Sequence, residues 1–379
     1  MKTVLIVGAG VAGSTAAYWL ARLGMTVTVV ERASSDRSSG SPVDVRGPAY
    51  GVAERMEVLP QLRDAATRAT GISAVDRRGR RIGWAPMQLG NGIEIPRSDL
   101  AVILADAGRN AAEYRYGDTV TSLRQNAAGV EVTFEGAEPE EFDLVVGADG
   151  LHSRVRELAF GTGFVEHLGM YVATVDLAEA AEGDTVLMHN ESGRMAAVHP
   201  ATGRGIAAFI FRHPALPDYD HRDSSAHKGV VADAYAGMGW RVPELVQQMR
   251  EATDIYFDSV SRVRMDTWSC GRVVLLGDAA SCVSLLGDGS SLAIAGAATL
   301  SECIVANRDD PAAALREYER RHRRLVMPRQ RWMGPGSRVI VPATAPGVVA
   351  RNAALRVTGG ISQARKLTRC TRNSASTPS

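Results

Sequence analysis

Thr3-Val4-Leu5-Ile6-Val7 runs directly into Gly8-Ala9-Gly10-Val11-Ala12-Gly13, and the next apolar run, Thr26–Val30, closes on Glu31. The first run is short, β-branched and apolar, which reads as a buried strand. Ala16, Ala17, Leu20 and Leu23 then recur at helical spacing until Gly24 ends the helix. Strand, glycine turn, helix and strand make a βαβ unit. Glu31 lies 23 positions beyond Gly8, at the end of the second strand. That context turns a bare glycine pattern into a dinucleotide-binding fingerprint. Gly8 makes the tight turn, Gly10 lets backbone approach a pyrophosphate, and Gly13 lets helix pack on strand. With Ala12 these residues form the candidate phosphate cradle, because free N–H groups at the helix start favour an anion. Glu31, adjoined by Arg32, can accept from both ribose hydroxyls and disfavours a 2′-phosphate, so the adenosine belongs to FAD or NAD rather than NADP.

Outward from this unit the chain stays globular in character. Its 379 residues are 45% hydrophobic and 22% charged, with 43 Lys+Arg against 42 Asp+Glu. A net charge of +1 argues against a nucleic-acid partner. No run of 18 uninterrupted apolar residues occurs, so no membrane partner is expected. The glycines of the first turn speak against a secretory signal, and Cys270, Cys282, Cys303 and Cys370 form neither a CxxC pair nor a His-supported zinc site. A cytoplasmic, reducing location without a metal is the expectation. Leu100–Gly108 reads as a helix capped by Ser98 and Asp99. Val130–Phe134 and Phe142–Val146 read as strands. Tyr171–Leu177, Thr185–His189, Met195–His199, Ile206–Phe211 and Ile255–Val263 alternate and predict an antiparallel sheet. Arg272–Leu276 is again a buried strand, followed by a small-residue helix over Ser290–Asn307. Ala312–Val326 reads as a charged helix stopped by Pro328. The Ser/Thr/Arg-rich end from Arg365 reads as a flexible tail.

Two later stretches carry a family resemblance. Asp143-Leu144-Val145-Val146-Gly147-Ala148-Asp149-Gly150-Leu151-His152-Ser153-Arg154-Val155-Arg156 and Arg272-Val273-Val274-Leu275-Leu276-Gly277-Asp278-Ala279-Ala280 follow the opening Val4–Arg32 in order. Together the three resemble the class A flavoprotein monooxygenases, whose fold is typified by p-hydroxybenzoate hydroxylase, the later pair matching the family's "DG" and "GD" motifs. The resemblance implies an α/β fold: a Rossmann-like FAD-binding domain, a second antiparallel-sheet substrate domain and a C-terminal helical segment. The expected division is 1–71, 96–160 and 264–310 for the FAD domain, 72–95 and 161–263 for the substrate domain, 311–364 for the helical region and 365–379 for the tail. It implies one FAD, with NADH or NADPH as a visiting co-substrate. Asp149 and Gly150, Gly277 and Asp278, Arg97 in Ile95–Leu100, and Arg46 in Val43–Pro48 are its cofactor-contacting candidates. Arg154 and Arg156 read either as phosphate contacts or as a solvated pair.

The chain departs from the family pattern after the GD motif. Ser281–Ser291 lacks the usual proline, is one residue short, and holds Asp288 between Gly287 and Gly289 where Gln is common. A carboxylate at a helix start aimed at the flavin opposes the negative charge that develops on reduction. The other reading makes Asp288 a helix cap turned away. Gly287, Asp288 and Gly289 complete the cofactor set. His189 and His199 are the substrate candidates, and no side chain is singled out as catalytic. The implied activity is hydroxylation or epoxidation of an aromatic or polyketide-like small molecule in natural-product biosynthesis. The alternative is a redox-neutral cyclase of the same fold. Oligomeric state is not legible.

Overall fold

The computed structural model describes residues 1–34, 41–87, 90–217, 219–221, 223–283 and 287–356. The expected flexible tail, most of the Ser-rich loop after Ser34, and Ser284–Leu286 lie outside the described residues. The chain divides into two compact units, Met1–Ala66 with Gly90–Leu168 and Val260–Gly334, and Thr67–Leu89 with Gly169–Ser259 and Pro335–Ser379.

In chain order, β1 (Thr3–Val7), α1 (Val11–Arg22) and β2 (Thr26–Glu31) precede β3 (Val43–Val45), α2 (Pro48–Arg55) and α3 (Leu59–Asp64). Next come β4 (Gly71–Val75), β5 (Arg81–Pro86), β6 (Ile93–Ile95), α4 (Arg97–Gly108) and β7 (Glu113–Tyr116). A small meander of β8 (Val120–Gln125), β9 (Val130–Phe134) and β10 (Glu140–Phe142) leads to β11 (Leu144–Gly147) and α5 (Arg154–Phe160). Then follow β12 (Val165–Leu177), β13 (Thr185–Glu191), β14 (Arg194–Ala201), β15 (Arg204–Arg212), α6 (Ser224–Ala234), α7 (Val242–Glu251) and β16 (Tyr256–Val263). β17 (Ser269–Cys270), β18 (Val273–Leu275), α8 (Asp278–Ser281), α9 (Asp288–Ala306) and α10 (Pro311–Ile340) close the order.

The first unit is built on a sheet ordered β17-β18-β11-β1-β2-β7. All its pairings are parallel except β17 with β18. Parallel strands are covered on both faces, so they read as unbroken apolar runs; Val4, Leu5 and Ile6 of β1 are fully buried. α1 turns Ala16, Ala17 and Leu20 onto α9, whose Ala293, Ala297 and Ala298 are small enough for close approach. By length and composition α9 could cross a membrane, yet most of it is buried inside the fold.

The second unit carries a sheet ordered β16-β12-β15-β14-β13-β4-β5. One face, with Tyr171, Ala173, Ala196, Phe209 and Phe211, shares a core with Val231, Tyr235, Leu245 and Met249 of α6 and α7. The expected antiparallel sheet is mixed: β13 pairs β4 in parallel, Thr185 against Gly71 through His189 against Val75. That pairing joins segments far apart in sequence, which local alternation cannot reveal.

Three local readings are corrected. Phe142–Val146 is two strands, broken at Asp143, whose carboxylate accepts from the Lys2 and Thr3 N–H groups. α4 begins at Arg97 after Pro96, so Ser98 and Asp99 lie inside its first turn and bond each other at 3.1 Å. α10 continues through Pro328 and Pro335 to Ile340. Packing overrides the proline: Tyr318, His322, Val326 and Met333 are fully or almost fully buried. The Arg329 side chain donates to the Leu325 carbonyl at 3.0 Å, beside the interrupted ladder.

Candidate active site

The glycine turn is dictated by close approach. Gly8 has φ +103°, and a Cβ there would lie 2.6 Å from the Ala148 carbonyl oxygen. A Cβ on Gly13 would fall 1.8 Å from the Gly8 oxygen. Neither position admits a side chain. Gly10 differs: among the described residues nothing lies within 4 Å of its notional Cβ. It is the N-cap of α1, and among the described residues no side chain caps the helix. An anion is the group that such a helix start accommodates. Glu31 is held at the end of β2, its two carboxylate oxygens accepting from Ala9 N–H and Ala33 N–H at 2.8 Å each. Arg32, next in the chain, is exposed.

The three motifs meet. Besides the Gly8–Ala148 approach, a Cβ on Gly277 (φ +62°) would come 2.9 Å from the Ala12 methyl carbon. Asp278, half-buried at the start of α8, faces the start of α9, its Oδ1 3.7 Å from the notional Gly289 Cβ. Asp149, after β11, accepts from Ser153 Oγ at 2.5 Å and Val155 N–H at 3.0 Å, which organises the start of α5. Burial pushes its pKa above the usual carboxylate value, with these hydrogen bonds opposing the shift. Gly150 beside it has φ +78°. Arg97, the first residue of α4, is half-buried.

Arg156 is neither a phosphate contact nor a solvated residue. It is buried and donates to the Leu151 carbonyl at 2.6 Å and the Ala279 carbonyl at 3.0 Å, tying the Asp149 loop to α8. Sequence reading missed this strut, since a charged side chain between two motifs normally signals surface. Arg154 pairs with Glu157 at 2.7 Å on the outside of α5.

At the head of α9, Asp288 does not cap the helix. It accepts from Arg46 Nε at 3.0 Å and Nη2 at 2.9 Å, and Arg329 Nε stands 3.9 Å away. Gly287, the N-cap, has φ +73°. Arg46, Asp288 and Arg329 border a cavity of about 230 Å³ lined also by Pro48, Ser291, Leu292 and Leu325.

The two histidines lie in the second unit on opposite faces of its sheet. His189 opposes Ala196 and so shares the α6–α7 face, with Nδ1 2.9 Å from the Val75 carbonyl. His199 alternates with Ala197 on the other face, and its Nδ1 has no hydrogen-bond partner. Desolvation lowers its pKa to about 4, so it is neutral at neutral pH.

Among the described residues no cluster of His, Cys, Asp and Glu is arranged to hold a metal. The cradle at Gly10, open and uncapped, fits a dinucleotide pyrophosphate. Fold and site together define a dinucleotide-binding flavoprotein. The chain belongs to the FAD-binding domain family, which matches residues 1–329, and it is a flavoprotein monooxygenase. A flavin-dependent monooxygenase of Legionella longbeachae is 33% identical, with 80% of this chain and 81% of that protein covered. An uncharacterised protein of Mycobacterium tuberculosis is 39% identical, covering 91% and 95%. The crystal structure of tetracycline destructase Tet(51) superposes with a TM-score of 0.84 at 28% identity, covering 94% of this chain and 95% of that one.

Proposed function

We propose that this enzyme uses NADH or NADPH and O₂ to hydroxylate or epoxidise an aromatic or polyketide-like small molecule in natural-product metabolism. The observation that carries the reading is the convergence of the Gly8–Gly13 turn, the Asp149 loop and the Gly277–Asp278 turn within one unit. The similarity to a tetracycline destructase supports a polycyclic, oxygen-rich substrate. The proposed setting is the cytoplasm, with neither nucleic acid nor membrane as partner.

Bound FAD supplies the redox and oxygen-activating chemistry. The chain supplies binding and placement. α1 directs its uncapped N–H groups at the pyrophosphate, and Glu31 accepts from the adenosine ribose. Asp278 accepts from hydroxyls of the ribityl chain. Arg46 and Arg97 supply positive charge beside the flavin. Gly150, Gly287 and Gly289 let backbone come close, and Arg156 holds the Asp149 loop against α8.

The experiment is direct. Purified protein is expected to be yellow, and to oxidise NADH or NADPH faster with its true substrate than without. A panel of polycyclic phenols and enols, read by mass spectrometry, shows a product heavier by one oxygen atom. Retained FAD with no reduction by either nucleotide on any substrate defeats the proposal. A turned-over product of unchanged mass identifies the redox-neutral cyclase instead.

A further inference from the structure

The carboxylate at Asp288 occupies a helix start, where a negative charge aimed at a flavin hinders its reduction. The geometry around it answers that difficulty. Asp288 is engaged by Arg46 through two donors, at 3.0 Å and 2.9 Å, from the loop after β3. Arg46 is itself fixed: its backbone N–H donates to Ser291 Oγ at 3.0 Å, and that hydroxyl donates to the Asp44 carbonyl at 2.7 Å. The segment Asp44–Arg46 is therefore fastened to the first turn of α9 by main chain and side chain together.

The charges can be counted. Arg46 and Arg329 both address Asp288, Arg329 from 3.9 Å. Asp44 also lies 3.5 Å from Arg46. Burial pushes its pKa up, with the attraction of Arg46 opposing and the neighbouring Asp288 adding to the rise. Among the described residues Arg46 and Arg329 address Asp288, while Asp44 and Asp278 stand near the same helix start. Arg46 is held where it neutralises the acid at the head of α9.

We propose that Asp288 and Arg46 act as a matched pair of positioning residues: Asp288 fixes Arg46 at the head of α9, and Arg46 cancels the charge that Asp288 brings to the cofactor. This inference rests on the reading that the flavin lies before the head of α9. It predicts a suppression pattern. Arg46→Gln leaves Asp288 with only the distant Arg329 and disfavours the reduced, anionic cofactor. Adding Asp288→Asn removes the stranded charge and restores the balance.

The test compares wild type, R46Q, D288N and R46Q/D288N by two measurements. Thermal unfolding of the FAD-free proteins reads the pair itself, through its non-additivity. The two-electron reduction potential of the FAD-loaded proteins, set against a reference dye, reads the proposed role. R46Q is expected to shift the oxidised-to-reduced equilibrium toward the oxidised form by about tenfold. The double variant is expected to return most of the way to wild type. R46K, which keeps the charge and loses the two-donor fork, falls between and serves if R46Q folds poorly. Additive shifts, or an R46Q potential equal to wild type, overturn the proposal. Unfolding coupling without a potential shift also overturns it and leaves the pair a structural brace. Wild-type protein that binds no FAD removes the cofactor reading itself, a result visible in the absorbance spectrum before any variant is made.

Discussion

Gly10 and Gly13 stand three residues apart and differ in what they answer to. Gly13 answers to the chain, because a Cβ there meets the Gly8 oxygen at 1.8 Å. Gly10 meets no such demand from the described residues, none of which lies within 4 Å of its notional Cβ, and that space is where the proposed ligand would approach. Gly10→Ala is therefore expected to leave the unfolding temperature of FAD-free protein within error of wild type while weakening FAD binding at least tenfold by fluorescence titration. Gly13→Ala is expected to lower stability severely and with it everything else. Equal damage to the FAD-free protein from both would show that Gly10 is merely structural. Arg156→Met keeps the bulk and removes two charge-assisted hydrogen bonds inside the fold, at a cost of about 2–4 kcal/mol in denaturant unfolding. The glycines were legible in the sequence because their demand is local and steric. Arg156 was not, since its acceptors are main-chain oxygens that leave no mark on composition. For Asp288, neither reading foresaw the Arg46 pairing, which joins residues 46 and 288 only in the folded chain.

At the scale of elements, the α9–α10 packing sets an acid limit. His322 on α10 is almost fully buried, lies stacked on Tyr318 and edge-on to Trp268, and fits a notch opened by Gly296 of α9. Neither of its ring nitrogens has a hydrogen-bond partner. Desolvation lowers its pKa from 6.5 to about 4. The depressed value means that the folded state binds the proton less readily than the unfolded chain. Stability is full above pH 6.5 and falls as pH drops toward 4, by about 1.4 kcal/mol per pH unit from this residue. Denaturant melts between pH 7 and pH 4.5 check this, and His322→Leu is expected to flatten the slope. An unchanged slope would place the acid sensitivity elsewhere. Gly296→Ala sets a methyl 2.8 Å from the His322 ring and is expected to destabilise the same contact. Most elements were legible from periodicity and punctuation, β1, α1, β9 and β14 among them. α10 was misjudged at Pro328 because a stop signal is a local cost that buried neighbours on the same helix outweigh. The parallel β4–β13 pairing was missed because register between distant strands is a property of the sheet.

For the whole molecule, ligand linkage supplies the broadest check. If the cradle takes FAD, adding it at about a hundred times its Kd raises stability by about 2.7 kcal/mol. Calorimetry of wild type should show the rise, and Gly10→Ala, binding at least tenfold more weakly, should show no more than about half of it at the same concentration. A rise of equal size in both proteins would mean that FAD binds somewhere other than the cradle. The family and its fold could be read because three motifs separated along the chain each carry a steric or electrostatic requirement. The substrate could not: the sheet expected to meet it has faces that differ only by alternation, and His189 and His199 lie on opposite sides of it.

The first unit is sewn from three separated stretches, and its innermost helix, α9, comes from the last of them. While the polypeptide is still being made, β1, α1 and β2 must wait for β18 and α9 before the nucleotide's cradle has walls. A fragment stopping near residue 168 would leave the ribosome with its fingerprint intact and an apolar flank of α1 bare. Cofactor capture is thereby expected late in biosynthesis, once α9 has packed on α1.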